Sequence, residues 1–476
     1  MKICIIAEGS YPYITGGVSS WIQTLIKKNH DHEFIIYTIG AEKKSKGKFK
    51  YQVPSNVVQI HETFLDEFNY VDSKKRPNYS LSIEEKKAIK SLLDGNNPDW
   101  ETILSMFSSG RIDSAVNFLM SKVFFEIVHE ICLEKYDQVP FTDMFWSLRS
   151  MVLPLFLCIQ NPLPQADLYH SVSTGYAGII GSLGRFLNKK PFLLTEHGIY
   201  TREREEEIIK ASWVKGYFKD LWIQYFYNMS TCAYRSADHV VTLFQKNKEI
   251  QVELGCPSQK ISIIPNGVTT EDFGSLSTRK RSSSEVFNIG AIVRVVPIKD
   301  IKTMLQSFSL VKQELENVKF YIMGPTEEDK EYFEECLQMV ENLQIQDDVI
   351  FTGEVSVKDY IYKMDVLVLS SISEGQPLVL LEGMACGKPF VSTDVGNCRG
   401  MLLGESDDFG EAGIVVPIMR YVEMSRAIIQ LCRDEKRRVK MGSVGKKRVA
   451  SIFTESRLIE SYQQLYKDMV KSKWLV

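Results

Sequence analysis

The chain has 476 residues, 44% hydrophobic and 25% charged, and 57 Lys and Arg against 60 Asp and Glu leave a formal net charge of −3. This is ordinary globular usage, which excludes a largely disordered or collagen-like chain. The mild acidity excludes a general nucleic-acid binder, and the length suits about three domains, or two of roughly 200 residues with an insertion.

The N-terminus reads MKICIIAEGS. Glu8 breaks its apolar run too early for a signal-peptide core. The nine cysteines are scattered and include no CxxC pair. A reduced cytosolic protein without disulfides or structural zinc is therefore expected. The longest strongly apolar stretch, near Met151–Ile159, is interrupted by Pro154 and is about half a membrane span. The chain is thus expected to be cytoplasmic, with no membrane span.

Strand-like and helix-like runs alternate at both ends of the sequence. Strands are expected at Ile3–Ala7, Phe34–Ile39, Leu168–Val172, Phe192–Thr195, His239–Leu243 and Ile261–Ile264. Val18 to Lys28 carries Val18, Trp21, Ile22 and Leu25 at helical spacing. Between about Phe64 and Pro164 the rhythm breaks into a charged, helix-rich insertion. It would shape an acceptor site, contact a partner, or serve as a plain lid. A Ser-rich basic stretch, GSLSTRKRSSSE from Gly274, reads as an exposed linker.

The alternation then restarts, with strands expected at Phe287–Val293, Val318–Met323, Val349–Thr352, Val366–Leu369 and Phe390–Thr393. Helices are expected over Ile301–Leu315, Glu328–Leu343, Pro377–Cys386 and the tail Tyr421–Lys471. The fold class is α/β: two Rossmann-like parallel-sheet domains facing a cleft. The expected division is 1–274 with an insertion at 64–164, a linker at 275–285, a second domain at 286–452, and a C-terminal helix at 453–476 packing back on the first domain. Ligands in such sheets sit beyond the carboxyl ends of the strands.

The most informative segment is SSISEGQPLVLLEGMACGKPFVSTDVG, Ser370 to Gly396. Glu374, Gly375 and Gln376 form a polar turn after an apolar strand, and Pro377 suits the first position of a helix. The free amides near Leu378 and Val379 can receive a phosphate. Glu374 and Glu382 bracket that helix start, and carboxylates there suit hydroxyls rather than phosphate. In GAIVRVVPIKD, Arg294 and Lys299 lie in a strand-to-helix loop and pair a guanidinium fork with a point charge, as a diphosphate would require.

The first half offers Gly16 and Gly17 ahead of a helix, whose backbone can approach a phosphate or merely turn tightly. His197 follows a strand and is expected to point into the cleft. His170, Ser173 and Thr174 are candidates for the acceptor side. Arg202 and Arg204 would either meet an anion or pair with neighbouring glutamates. There is no Asp-x-Asp pair, no His/Cys cluster at metal-ligand spacing and no Walker sequence. No metal or cofactor is expected.

These strings resemble a known family. SEGQPLVLLEGMACGKP looks like the donor-site motif of family-four retaining glycosyltransferases of the GT-B fold, and RVVPIK looks like their Arg-x4-Lys phosphate-binding motif. The GGV turn and IIPNGV (Ile263 to Val268) match in order and position. Within the family, SISEGQPLVLLE, DVGNCRG, EHGIYTRERE and the long insertion look like the enzymes that make the Pel exopolysaccharide. Gly383 stands where Ala is usual, and Asp300 where Gly is usual.

The resemblance implies a UDP-sugar donor: UDP-glucose first, with UDP-N-acetylgalactosamine and UDP-N-acetylglucosamine open. Arg294 and Lys299 would neutralise the diphosphate, and the amides near Leu378 and Val379, with Gly17, would hold its oxygens. Glu374 would bind the donor sugar, Glu382 the ribose, and His197 the sugar from the first domain. It further implies a glycan acceptor and recruitment by inner-membrane polysaccharide synthesis and export proteins. Two other classes compete: a nucleotide-sugar-binding scaffold without catalysis, and a dinucleotide oxidoreductase, which the absence of GxGxxG disfavours.

Overall fold

The computed structural model describes residues 1–66, 78–271, 286–405 and 407–471. The chain forms two compact units, Met1–Ile263 joined by the chain from Tyr462 on, and Ile264–Ser461. The stretch read as a linker, 275–285, lies outside the described residues.

The first unit is built on strands β1 (Lys2–Glu8), β2 (Glu33–Gly40), β3 (Val57–Phe64), β4 (Leu168–Ser171), β5 (Phe192–Glu196), β6 (His239–Thr242) and β7 (Ile261–Ile263). Their order is β3-β2-β1-β4-β5-β6-β7, and every pairing is parallel. The second unit has β8 (Phe287–Ile292), β9 (Val318–Met323), β10 (Val349–Gly353), β11 (Val366–Leu369), β12 (Phe390–Thr393) and β13 (Gly413–Val416), ordered β10-β9-β8-β11-β12-β13. These are the two doubly wound α/β sheets expected from the sequence. The order reverses beside β1 and beside β8, and such switch points open a crevice at the strand ends.

Two strands escaped the sequence reading, and both are edges. In β3, VVQIHETF, most positions are partly or fully exposed, so polar residues dilute the apolar run. In β13, four residues suffice because only one side pairs.

Register is set by a repeated device. Asp167, Asp238 and Asp365 each stand just before a strand. They accept the backbone amides of Lys2 (2.8 Å), Phe192 (2.9 Å) and Asn288 (2.8 Å), at the start of the neighbouring strand. A one-residue slip would lose that bond and turn the buried face of the strand outward.

The insertion supplies helices Ile83–Leu93, Trp100–Ser108, Ala115–Phe118, Lys122–Lys135 and Phe141–Gln160. Its core is continuous with that of the sheet: Phe107 stacks on Phe156 at 3.9 Å, and both belong to the cluster that holds Tyr169 and Leu194. Pro154 does not end its helix, contrary to the expectation of an interrupted stretch. The resulting 20-residue helix is long and apolar enough to cross a membrane by length and composition. Met144, Leu148, Met151, Leu155 and Ile159 bury one face of it in the first unit's core.

The tail forms helices Tyr421–Arg433, Glu435–Ile452 and Glu455–Lys471. Tyr462 and Tyr466, fully buried, belong to the first unit. None of the nine cysteines is in a disulfide, and eight of them are buried.

Replacing Asp365 with Ala leaves the Asn288 amide without its partner, a loss of roughly 1–3 kcal/mol for a buried donor. Chemical denaturation of D365A is expected to show that loss. An unchanged midpoint would show that the aspartate latch does not hold the sheet.

Candidate active site

In the second unit, the loops after β8 and β11 are stitched together. Ser370 Oγ donates to the carbonyls of Lys299 (2.7 Å) and Asp300 (2.8 Å), and the Ile372 amide bonds the Ile298 carbonyl at 2.9 Å. These bonds bring Lys299 and Glu374 together. Lys299 Nζ lies 2.5 Å from Glu374 Oε1, which also accepts from Ser371 Oγ at 2.6 Å. Both side chains are mostly buried, 17% and 12% exposed, so this pair is better shielded from water than a surface ion pair. Arg294 stands apart on the exposed side and pairs with Glu328 at 2.7 Å. Both cations therefore already hold carboxylates.

Asp300 has φ 48° and ψ 54°. That left-handed conformation explains why glycine is usual there, and why Asp, which tolerates it, can stand in. Its Oδ1 accepts the Thr303 amide at 3.3 Å, capping the helix Ile301–Glu314. Gly383 has a different cause: a Cβ there would lie 2.4 Å from the Phe390 ring.

Helix Leu378–Ala385 begins beside the ion pair, with Pro377 as its N-cap. Pro377 thus stands one place ahead of its expected helical position. The first helical bond comes from the Leu380 amide to the Pro377 carbonyl at 3.1 Å, and no acidic side chain fills the first turn. The amides of Leu378 and Val379 precede that bond and are suited to an anion. Gln376 is buried; its Oε1 accepts the Asn266 amide at 2.7 Å, which ties the PNG loop to the turn. Its Nε2 is buried without a partner. Glu382, one turn into the helix, is partly buried, and burial raises its carboxyl to about 7 against the opposing pull of Lys358.

In the first unit, helices start just after β1, β4, β5 and β6, and the starts after β4 and β5 are already filled. Glu8 accepts the Ala177 amide (3.2 Å) at the start of helix Tyr176–Asn188, and the Tyr200 hydroxyl at 3.1 Å. Glu196 accepts the Tyr200 amide (3.1 Å) at the start of helix Tyr200–Lys210. Burial raises both carboxyls. The helix Gly17–Lys28 differs: its N-cap is Gly16, no side chain caps it, and no acid lies in its first turn. The space beside Gly16 and Gly17 is open. Among the described residues the Tyr51 hydroxyl approaches, at 3.4 Å from the Gly16 amide and 3.2 Å from Ser20 Oγ.

His197 follows β5 and is partly buried. Its Nε2 is buried without a partner, and burial lowers its pKa to about 4, so the ring is neutral at physiological pH. His170 does not line a surface, contrary to expectation. It is fully buried, with Nδ1 2.8 Å from the Tyr466 hydroxyl and Nε2 2.8 Å from Thr195 Oγ1. Both nitrogens are spent on the fold, and burial lowers its pKa to about 3. Thr174 is likewise buried and bonds Ser230 at 2.8 Å. Ser173 is partly exposed, with its hydroxyl oxygen buried and unpartnered. Arg202 is exposed on helix Tyr200–Lys210, and Arg204 pairs with Glu207 at 2.8 Å.

The sequence reading missed Ser370, Ser371, Glu328, Glu8 and Tyr51. Ser370 and Ser371 had a signal, since both follow an apolar strand directly. The partnership of Glu328 with Arg294 had none.

Comparison with known proteins fits this architecture. The model "Domain of unknown function (DUF3492)" matches residues 1–259, and "Glycosyl transferases group 1" matches residues 278–448. The chain is similar to the N-acetyl-alpha-D-glucosaminyl L-malate synthase of Bacillus anthracis, 29% identical over 37% of this chain and 43% of that protein. It is also similar to the capsular polysaccharide biosynthesis glycosyltransferase CapM of Staphylococcus aureus, 26% identical over 73% of this chain and 86% of that one. The chain thus spans less than half of the first relative's length and most of the second's. Among solved structures it resembles Anabaena HepE in complex with UDP, with a TM-score of 0.63 and 14% identity, covering 98% of this chain and 100% of that one. The chain belongs to the DUF3492 family, and after that domain it carries a group 1 glycosyltransferase domain, the whole in a GT-B fold.

Proposed function

We propose that the chain is a retaining glycosyltransferase that moves a hexose from a UDP-sugar to a growing exopolysaccharide of the Pel type. The observation that carries the proposal is the buried Lys299–Glu374 pair beside the uncapped start of helix Leu378–Ala385. A diphosphate placed on the Leu378 and Val379 amides would meet Lys299, while Arg294 would exchange Glu328 for phosphate. Glu374 keeps a second carboxylate oxygen for sugar hydroxyls, and Glu382 accepts from the ribose. In the first unit, the open Gly16–Gly17 turn is suited to a phosphate oxygen, and the neutral His197 ring is proposed to contact the donor sugar. UDP-glucose is the first candidate donor, with the two UDP-N-acetylhexosamines next; HepE was solved with UDP-glucose.

In the reaction the acceptor hydroxyl attacks the anomeric carbon on the face of the leaving group. The bond from that carbon to UDP breaks, the new glycosidic bond forms, and a phosphate oxygen takes the acceptor's proton. Charge builds on the diphosphate as its bond breaks, and Lys299, Arg294 and the helix amides stabilise it without a metal.

Turnover beside UDP affinity tests these roles. R294A is expected to lower turnover by roughly 10²–10³-fold, the usual loss for one such electrostatic contact, and to weaken UDP. E374A should abolish turnover without weakening UDP, because the sugar contact is lost while Lys299 is freed for the diphosphate. E382Q should weaken UDP. Only an ionised Glu382 accepts well from ribose, so the advantage of wild type over E382Q should fade as pH drops through about 7. Turnover should persist in EDTA. Loss of UDP binding in E374A, or metal-dependent turnover, would contradict the assignment.

We further propose that the enzyme works at the cytoplasmic face of the inner membrane, recruited by polysaccharide synthesis and export proteins through the insertion. Phe125, Leu133 and Trp146, exposed on that insertion, support this, since such residues anchor interfaces. Membrane fractions are expected to lose the protein in cells without those partners. Equal association in their absence would refute recruitment.

A further inference from the structure

We infer that Trp21 is the positioning residue that sets the His197 ring, and that the C-terminal helix fixes Trp21 in turn; the inference rests on the sugar-contacting role of His197 proposed above. His197 Nε2 has no hydrogen bond to hold it. The ring instead meets the Trp21 ring edge-on, with centroids 4.7 Å apart and planes at 76°. Trp21 is 7% exposed, and its own ring nitrogen is also buried without a partner. It is therefore held by packing. Tyr462 lies 5.2 Å from it at 73°, and His170 lies 6.0 Å away at 86°.

Those two neighbours cannot easily move. Tyr462 bonds Thr195 Oγ1 at 2.9 Å, Thr195 bonds His170 Nε2, and His170 Nδ1 bonds the Tyr466 hydroxyl. All four side chains are fully buried. With burial keeping His170 neutral, one ring nitrogen donates and the other accepts, so the chain of hydrogen bonds runs in one direction. Thr195 stands two residues before His197, so the same chain also anchors the backbone from which His197 projects. Trp21 lies on helix Gly17–Lys28, one turn after Gly17. One indole therefore joins the glycine turn to the histidine, the two elements of the first unit assigned to the donor.

The test is a double-mutant cycle on W21L and H197A, reading UDP-sugar turnover, UDP affinity and melting temperature. A small displacement of a positioned group can cost roughly 10²-fold in rate, and W21L is expected to lose turnover on that scale with UDP affinity unchanged. The double variant should be no slower than H197A alone, because both changes remove the same contact. A merely structural Trp21 would lower the melting temperature and multiply with H197A. Multiplicative losses, or wild-type turnover in W21L, overturn the inference. If W21L does not fold, Y462F, which keeps the ring and removes its bond to Thr195, takes its place with the same outcomes. Wild-type protein that turns over no UDP-sugar, or H197A as fast as wild type, instead refutes the functional reading beneath it.

Discussion

The pairing of Lys299 with Glu374 is the interaction on which the second unit's chemistry depends. An ammonium and a carboxylate that are both mostly out of water need each other, and the cost of breaking such a pair by removing one partner is large. Ser371 shares the load by donating to the same carboxylate oxygen, and Ser370 ties the two loops at the backbone. The pair also leaves each partner unfinished: Lys299 has further N–H donors and Glu374 a second oxygen. A ligand with both an anionic part and hydroxyls completes them, and a nucleotide sugar carries both.

The two units solve the same problem differently. Each is a parallel sheet whose order reverses beside its first strand, so each offers helix starts at a crevice. In the first unit, Glu8 and Glu196 occupy two of those starts, and their carboxyl oxygens already take the amides that an anion would use. The start at Gly16–Gly17 stays open.

The sheet interiors were legible in the sequence because buried parallel strands are nearly continuous apolar runs, as Phe287–Ile292 and Val366–Leu369 show. The edge strand Val57–Phe64 was not, because half its surface meets water. The EGQP turn was legible because each residue type has a local reason to be there. His170 shows the limit. A histidine at a strand end looks available, but its partner Tyr466 comes from 296 residues along the chain, and no local pattern announces it. Arg294 is similar: its loop placed it correctly, while its carboxylate partner lies on another strand's loop. Asp300, where the resemblance implies glycine, proved to be a helix cap in a left-handed conformation.

The central claim is that a diphosphate sits at the start of helix Leu378–Ala385 with Lys299 against it. A crystal structure of the UDP complex tests this most directly. It should show phosphate oxygens on the Leu378 and Val379 amides, Lys299 in contact with them, and Arg294 turned from Glu328 to the ligand. UDP bound elsewhere, with the Arg294–Glu328 pair intact and the helix start empty, would contradict the account.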